Sequence, residues 1–154
     1  MLQLSIREDR SLLILTYLGC RQGINTSAKM IAERFSMNLD YTVNILKELT
    51  RGGLLKSKRG PAGGYSLTKA TDDISVADVL EALTGTPFAF SECCTSDVPL
   101  CGVSAECYVL GPIREMHRQI LEILQKTTIA NFQAHVTNRS LRPSFDPTNI
   151  LKAK

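Results

Sequence analysis

No apolar run in the chain approaches the roughly 18 residues that a membrane span needs. Its opening, MLQLSIREDR, has no basic region followed by a long apolar stretch, so no secretory signal is read and a cytoplasmic protein is expected. The sequence has no Cys-x-x-Cys pair, no glycine-rich nucleotide loop and no Ser/His/Asp set. The first absence argues against structural zinc, and the three together argue against an enzyme. Repeats and low-complexity tracts are absent too. What remains is ordinary globular composition, 44% hydrophobic and 21% charged over 154 residues. That excludes wholesale disorder, collagen and coiled-coil rods, and leaves one domain or one small domain with an appended element.

Charge is unevenly spread. Residues 1–70 hold 11 Lys/Arg against 5 Asp/Glu, and residues 71–154 hold 7 against 10. A basic first half joined to an acidic second half fits a polyanion-binding part with a separate partner part, although solvated faces alone also produce such an imbalance. The five cysteines are an odd number, which argues against a disulfide framework. Four of them, Cys93, Cys94, Cys101 and Cys107, fall within 15 residues. Clustering of this kind leaves three readings open: a metal site, a thiol switch or inert thiols.

Hydrophobic spacing gives a mainly α chain. Residues 8–20 read as a buried first helix with Cys20 as a small core residue at its end. A second helix follows, N-capped by Thr26 or Ser27, with Met30, Ile31, Ala32 and Phe35 on its apolar side. After a break at 36–38 a third helix runs over 39–51. Leu39, Val43 and Leu46 mark its inner stripe, broadened by Ile45 and Leu49. Tyr41, Asn44 and Lys47 share its outer side, and Gly52-Gly53 stops it. Two short helices joined by a tight turn make a helix-turn-helix pattern, weak by itself.

The next segment sharpens it. Residues 54–58 and 65–68 read as two strands around the turn RGPAGG. Such a hairpin, carrying Lys56, Lys58 and Arg59 directly after the third helix, is the layout of a winged helix. Glycine there lets backbone approach a phosphate or a groove closely. Ser75 and Asp78 form a capping-box pattern opening a fourth helix that ends at Gly85. Residues 86–107 read as a loop. Pro112 suits the first position of the longest helix. Its residues Ile113, Met116, Ile120, Ile123 and Thr127 step as a heptad seam, flanked by Leu121 and Leu124. This helix tucks against its own core or, as the extra apolar flank favours, joins two copies. Thr127-Thr128 breaks it before a short helix through Phe132, and the tail beyond His135 reads as irregular.

The run LLKSKRGPAGGYSL, then ISVADVLEAL, then a cysteine loop before a long helix, resembles the winged-helix iron–sulfur transcriptional regulators, the family of IscR, NsrR and RirA. CymR belongs to the same family but lacks the cysteines. The resemblance covers about residues 1–135. It implies a winged helix-turn-helix domain over 1–85, a cluster-binding loop over 86–107, a dimerisation helix over 108–135 and an irregular tail over 136–154. It further implies a homodimer on pseudo-palindromic promoter DNA. Tyr41, Asn44 and Lys47 would meet DNA from the third helix, and Lys56, Lys58, Arg59, Gly60, Gly63 and Tyr65 from the wing.

Cys93-x7-Cys101-x5-Cys107 is similar to the iron-responsive branch. The resemblance therefore implies an iron–sulfur cluster, [4Fe-4S] or [2Fe-2S], on Cys93, Cys101 and Cys107, with Cys94 as the alternative first ligand. IscR places a histidine three residues after its last cysteine. Leu110 stands there in this chain, so the fourth ligand differs. The position that supplies a carboxylate in some NsrR-like members falls on Asp9, beside Glu8. Both are also acids of the kind that a helix start favours. The function implied is a DNA-binding regulator, a repressor, gated by the cluster. The alternatives are a cluster-free winged-helix regulator using thiols or a small ligand, and a redox or electron-transfer scaffold. The basic wing argues against the last.

Overall fold

The computed structural model describes residues 4–94 and 107–139. Cys101 and the tail from 140 onward lie outside the described residues.

Helix α1 spans Ile6–Gly19. It begins two residues before the expected start because Ser5 and Glu8 form a reciprocal capping box, satisfying two of the donors a helix start leaves open. Ile14 and Leu15 on α1 are fully buried. Cys20 is not the core residue the sequence suggested. It caps α1 in an exposed position, and its sulfur accepts from the Gln133 amide at 3.6 Å. Gly19 takes the inner position instead, where a Cβ would lie 2.6 Å from the Thr71 methyl.

Helix α2 spans Ala28–Arg34, capped by Ser27, and α3 spans Leu39–Arg51, capped by Asn38. The turn between them closes through a hydrogen bond from Met37 N–H to Ala32 C=O at 2.9 Å. Ser36 there adopts a φ of 51°. The inner face of α3 is Thr42, Ile45, Leu46 and Leu49. Leu39 is 45% exposed and Val43 half-buried, so the true stripe is rotated from the one the sequence suggested. Met30 of α2 is likewise exposed. Thr42 can sit inside because its hydroxyl donates to the Asn38 carbonyl one turn back.

Strands β1 (Leu55–Lys58) and β2 (Gly64–Leu67) pair antiparallel, with Leu55 opposite Leu67 and Lys58 opposite Gly64. The hairpin is docked on the body by an extra β-bridge. Thr26 N–H donates to Tyr65 C=O at 3.0 Å, and Tyr65 N–H to Thr26 C=O at 2.9 Å. After a 3₁₀ turn at Thr71–Asp73, helix α4 (Val76–Thr84) opens on the Ser75–Asp78 capping box and ends on left-handed Gly85, as expected. A further 3₁₀ turn spans Glu92–Cys94.

Helix α5 spans Leu110–Lys126, and α6 spans Ile129–Arg139. Pro112 is the third helical residue, not the first. It is tolerated because first-turn N–H groups have no intrahelical acceptor. Helix α6 continues past His135 to Arg139, where an irregular tail was expected. Ile129 is fully buried in the same core as α1, α3 and α4. The fold is thus mainly α with one small hairpin, a winged helix-turn-helix carrying a long C-terminal helix.

The wing's seating makes a direct prediction. Gly64 has a φ of +143°, and a Cβ there would lie 2.6 Å from the Thr26 carbonyl carbon and oxygen. Gly64→Ala should cost about 1–3 kcal/mol in urea unfolding, combining backbone strain with a clash against fixed backbone. An unchanged midpoint would show that the wing is not held by the Thr26 bridge.

Candidate nucleic-acid interface and cysteine site

The outer face of α3 is built by its cap and its inner stripe. Asn38 Oδ1 accepts from Tyr41 N–H at 3.1 Å and fixes the start of the helix. The buried face then leaves Asn44 and Lys47 exposed. Tyr41 does not share their exposure, because its ring is half-buried against the core. Arg7 of α1 pairs with Glu48 of α3 at 3.5 Å and ties the back of this helix to the body.

Alternation along the hairpin sends Leu55 inward and Lys56 and Lys58 outward. Lys56, Lys58, Arg59 and Gly60 are exposed. Gly60 has a φ of +109° with open space around it. Gly63 is different: a Cβ on it would meet the Lys58 carbonyl oxygen at 2.3 Å. The close approach that Gly63 and Gly64 permit is therefore to the chain's own backbone. Tyr65 is half-buried and packs on the core. Among the described residues no ion pair occupies Lys47, Lys56, Lys58 or Arg59, so this basic surface faces solvent uncompensated.

The segment after α4 lies on α5. Phe88 stacks on His117 with ring centroids 6.1 Å apart, and Phe90 N–H donates to His117 Nδ1 at 3.4 Å. The Arg114 guanidinium donates to the Cys93 carbonyl at 3.5 Å. His117, which the sequence left as a surface or seam residue, thus anchors the start of the cysteine segment. Its i+27 separation from Phe90 gave no sequence signal. Cys93, Cys94 and Cys107 are free, half-exposed thiols. Cys94 borders an apolar groove of about 840 Å3 together with Glu8 and His117. Glu8 is committed to the α1 capping box, while Asp9 is exposed. Among the described residues, no three of His, Cys, Asp and Glu gather as a metal site.

Helix α5 has two unlike faces. One carries the chain Glu115–Arg118–Glu122–Lys126, and hydrogen bonds from Arg118 and Gln119 hold the Glu115 carboxyl down at about 2. The other is apolar but open, with Met116 47% and Ile123 62% exposed.

A family model described as Rrf2, an iron-dependent transcriptional regulator, matches residues 4–135. The chain belongs to the Rrf2 family. NsrR of Bacillus subtilis is 29% identical over 122 residues, covering 79% of this chain and 83% of that protein. The structure of CymR, the global cysteine regulator of B. subtilis, superposes with a TM-score of 0.68 at 26% identity, covering 88% and 98% of the two chains. IscR of T. potens shares the fold with a TM-score of 0.64 at 24% identity, covering 96% of each. This Rrf2 chain is a winged-helix transcriptional regulator, and no helix among its described residues is long and apolar enough to cross a membrane.

In this Rrf2 fold the Phe90–His117 bond and the ring stack seat the cysteine segment on α5. His117→Ala should speed hydrogen exchange of the Phe90 amide by about fivefold, the loss of one hydrogen bond worth about 1 kcal/mol. Equal protection in both proteins would show that the segment is held by other contacts.

Proposed function

We propose that this regulator is a homodimeric repressor that binds a pseudo-palindromic promoter site on double-stranded DNA, gated by an iron–sulfur cluster on Cys93, Cys101 and Cys107. The observation that carries the DNA reading is the uncompensated basic wing that directly follows α3, together with the exposed Asn44 and Lys47 of that helix. Helix-turn-helix dimers insert such a helix into the major groove at two half-sites about one turn apart. Asn44 is the base reader by chemistry, since its amide pairs with adenine. Lys47, Lys56 and Lys58 meet phosphates. Arg59, with Gly60 and Gly63 shaping the tip, enters the narrow minor groove, where negative potential is strongest. Tyr41 and Tyr65, half-buried, support these elements more than they touch bases.

The donor set suits the cofactor. Cys93 and Cys107 are unpaired, half-exposed thiols, and thiolates are the soft ligands an iron–sulfur cluster takes. Cys101 completes the set by spacing. Asp9, exposed on α1, is the carboxylate offered as fourth ligand from a second copy. A bound cluster supplies redox- and nitric-oxide-sensitive iron. The chain's own residues carry the rest. Cys93 is tied to α5 through Arg114, and Phe90 through His117, so a change of ligation at Cys93 moves the segment against α5. A second reading, direct thiol control without a cluster, is supported by the likeness to the cysteine regulator CymR. In both readings residues 1–85 bind DNA, 86–107 sense, 108–135 join the dimer, and the cytoplasm is the place of work.

Three outcomes are expected. After anaerobic purification the protein should be coloured. Cys101→Ala or Cys107→Ala should lose the chromophore, and Cys20→Ala should keep it. A full cluster spectrum in Cys107→Ala contradicts the ligand set, and colour lost in Cys94→Ala but kept in Cys93→Ala exchanges the first ligand.

In sedimentation the wild type should be a dimer at micromolar concentration. Ile120→Glu with Ile123→Glu should split it by burying unpaired charge. A monomeric wild type rejects the α5 interface.

Salt titration of operator binding should show Lys58→Ala lowering the slope by about one unit on every duplex. Arg59→Ala should instead narrow the gap between cognate and scrambled DNA. Wild-type affinity in both variants would remove the wing from the interface.

A further inference from the structure

A basic cleft lies against the wing, sharing Lys56 and Lys58 with the wing surface and lined by no residue of α3. The end of α1 and the residues just after it form one wall of this cleft of about 600 Å3, and the hairpin strands with the residues after β2 form the other. Arg21, Lys56, Lys58 and Lys69 line it, and no carboxylate does. These four cations come from three separate stretches of the chain, so the fold itself gathers them. None is in an ion pair among the described residues. Like charges collected without a counter-charge repel one another, and an anion in the cleft relieves that repulsion.

Arg21 adds an independent observation. Its guanidinium lies 5.6 Å from the centre of the Tyr17 ring, and Tyr17 is itself packed edge-on against Phe35 at 5.3 Å. The side chain is therefore held in place before any ligand arrives. Its Nε is buried and has no hydrogen-bond acceptor. A buried N–H without an acceptor is rare in folded proteins, and an ion or water not present in the structure is one of the explanations for it. Asn25, also on the cleft wall, donates to the Ala62 carbonyl at 3.4 Å and so ties the cleft to the wing tip.

The chemistry favours phosphate over carboxylate. A phosphate offers oxygens in several directions, matching donors that converge from opposite walls. A guanidinium fork with ammonium point charges is the common way to hold one.

We propose that this cleft is a phosphate-binding site distinct from the α3 surface, and that on an operator it takes a backbone phosphate of the duplex flanking each half-site. The proposal rests on the DNA-binding reading for its source of phosphate but not for the site itself. A free phosphate-bearing small molecule presents the same chemistry.

The test uses the full-length protein with Arg21→Gln and Lys69→Gln, neither of them on α3 or at the wing tip. Lys69 is exposed, so its variant keeps the fold even where loss of the Tyr17 contact disturbs the other. Binding is measured across a salt series on two operator duplexes. One ends at the outer edges of the half-sites, and the other extends about one helical turn further on each side. Inorganic phosphate is titrated in parallel by NMR.

On the long duplex each variant should bind about threefold to tenfold more weakly, with a salt slope smaller by about one unit per removed cation. On the short duplex both should match wild type. Loss of inorganic phosphate binding in the variants, with both duplexes bound normally, upholds the site and makes a free phosphate compound its ligand. A wild type that binds neither duplex sinks the operator reading, and the phosphate titration then decides the cleft alone. Equal binding of both duplexes and of phosphate by wild type and both variants overturns the proposal.

Discussion

The backbone pairing between residues 74–76 and 127–129 is the constraint on which the rest of the molecule depends. Val76 N–H donates to Thr127 C=O at 2.8 Å, and Ile129 N–H to Ile74 C=O at 2.9 Å. These two bonds fix the junction of α5 and α6 to the start of α4. Ile74, Val76 and Ile129 around them are buried, and a branched side chain of that size contributes roughly 1.5–3 kcal/mol when removed from water. The long helix is thus no loose appendage. It leaves the core from a pinned point and packs on α4, which packs in turn on α3.

In the proposed gating, that geometry is the route from the cysteine segment to the DNA-binding helix. Cys93 and Phe90 are fastened to α5 by Arg114 and His117. Arg7 and Glu48 fasten α1 to α3. Between them α5 packs on α4 and α4 on α3, with an apolar groove lined by residues of α1, α4, α5 and the cysteine segment. In the proposed gating, a shift at the segment is passed on as a change of helix position.

Much of this was legible in the sequence, for reasons that can be named. Helices α3 and α4 announce themselves because capping and periodicity agree: Gly52-Gly53 stops one, and Ser75, Asp78 and Gly85 bracket the other. The wing was legible from glycine and basic residues in order. The misreadings come from contacts that apolar spacing does not show, some within one helical turn and some between distant residues. Cys20 looked like core, but Gly19 had taken the inner position against Thr71. Leu39 and Val43 looked like the inner stripe of α3, yet Thr42 could go inside once its hydroxyl bonded backwards to Asn38. Tyr41 looked exposed by spacing, but its ring folds onto the core. The close backbone approach that the wing glycines allow is, at Gly63 and Gly64, made to the Lys58 and Thr26 backbone. The role of His117, the gathering of Arg21 with Lys69, and the Thr26–Tyr65 bridge have no local signal at all. The spacing of the cysteines marks the segment as chemically special, but spacing alone leaves the choice between cluster and thiols to the chemistry.

The central claim is that ligation at the cysteine loop controls operator binding. The most direct measurement is anaerobic affinity for a duplex from the region upstream of the protein's own gene, made with cluster-loaded protein and again after the cluster is stripped by chelation. The account predicts a cluster spectrum before stripping and affinities that differ at least about tenfold between the two forms, a difference of about 1.4 kcal/mol. Equal affinity of the loaded and stripped forms for that duplex would contradict it.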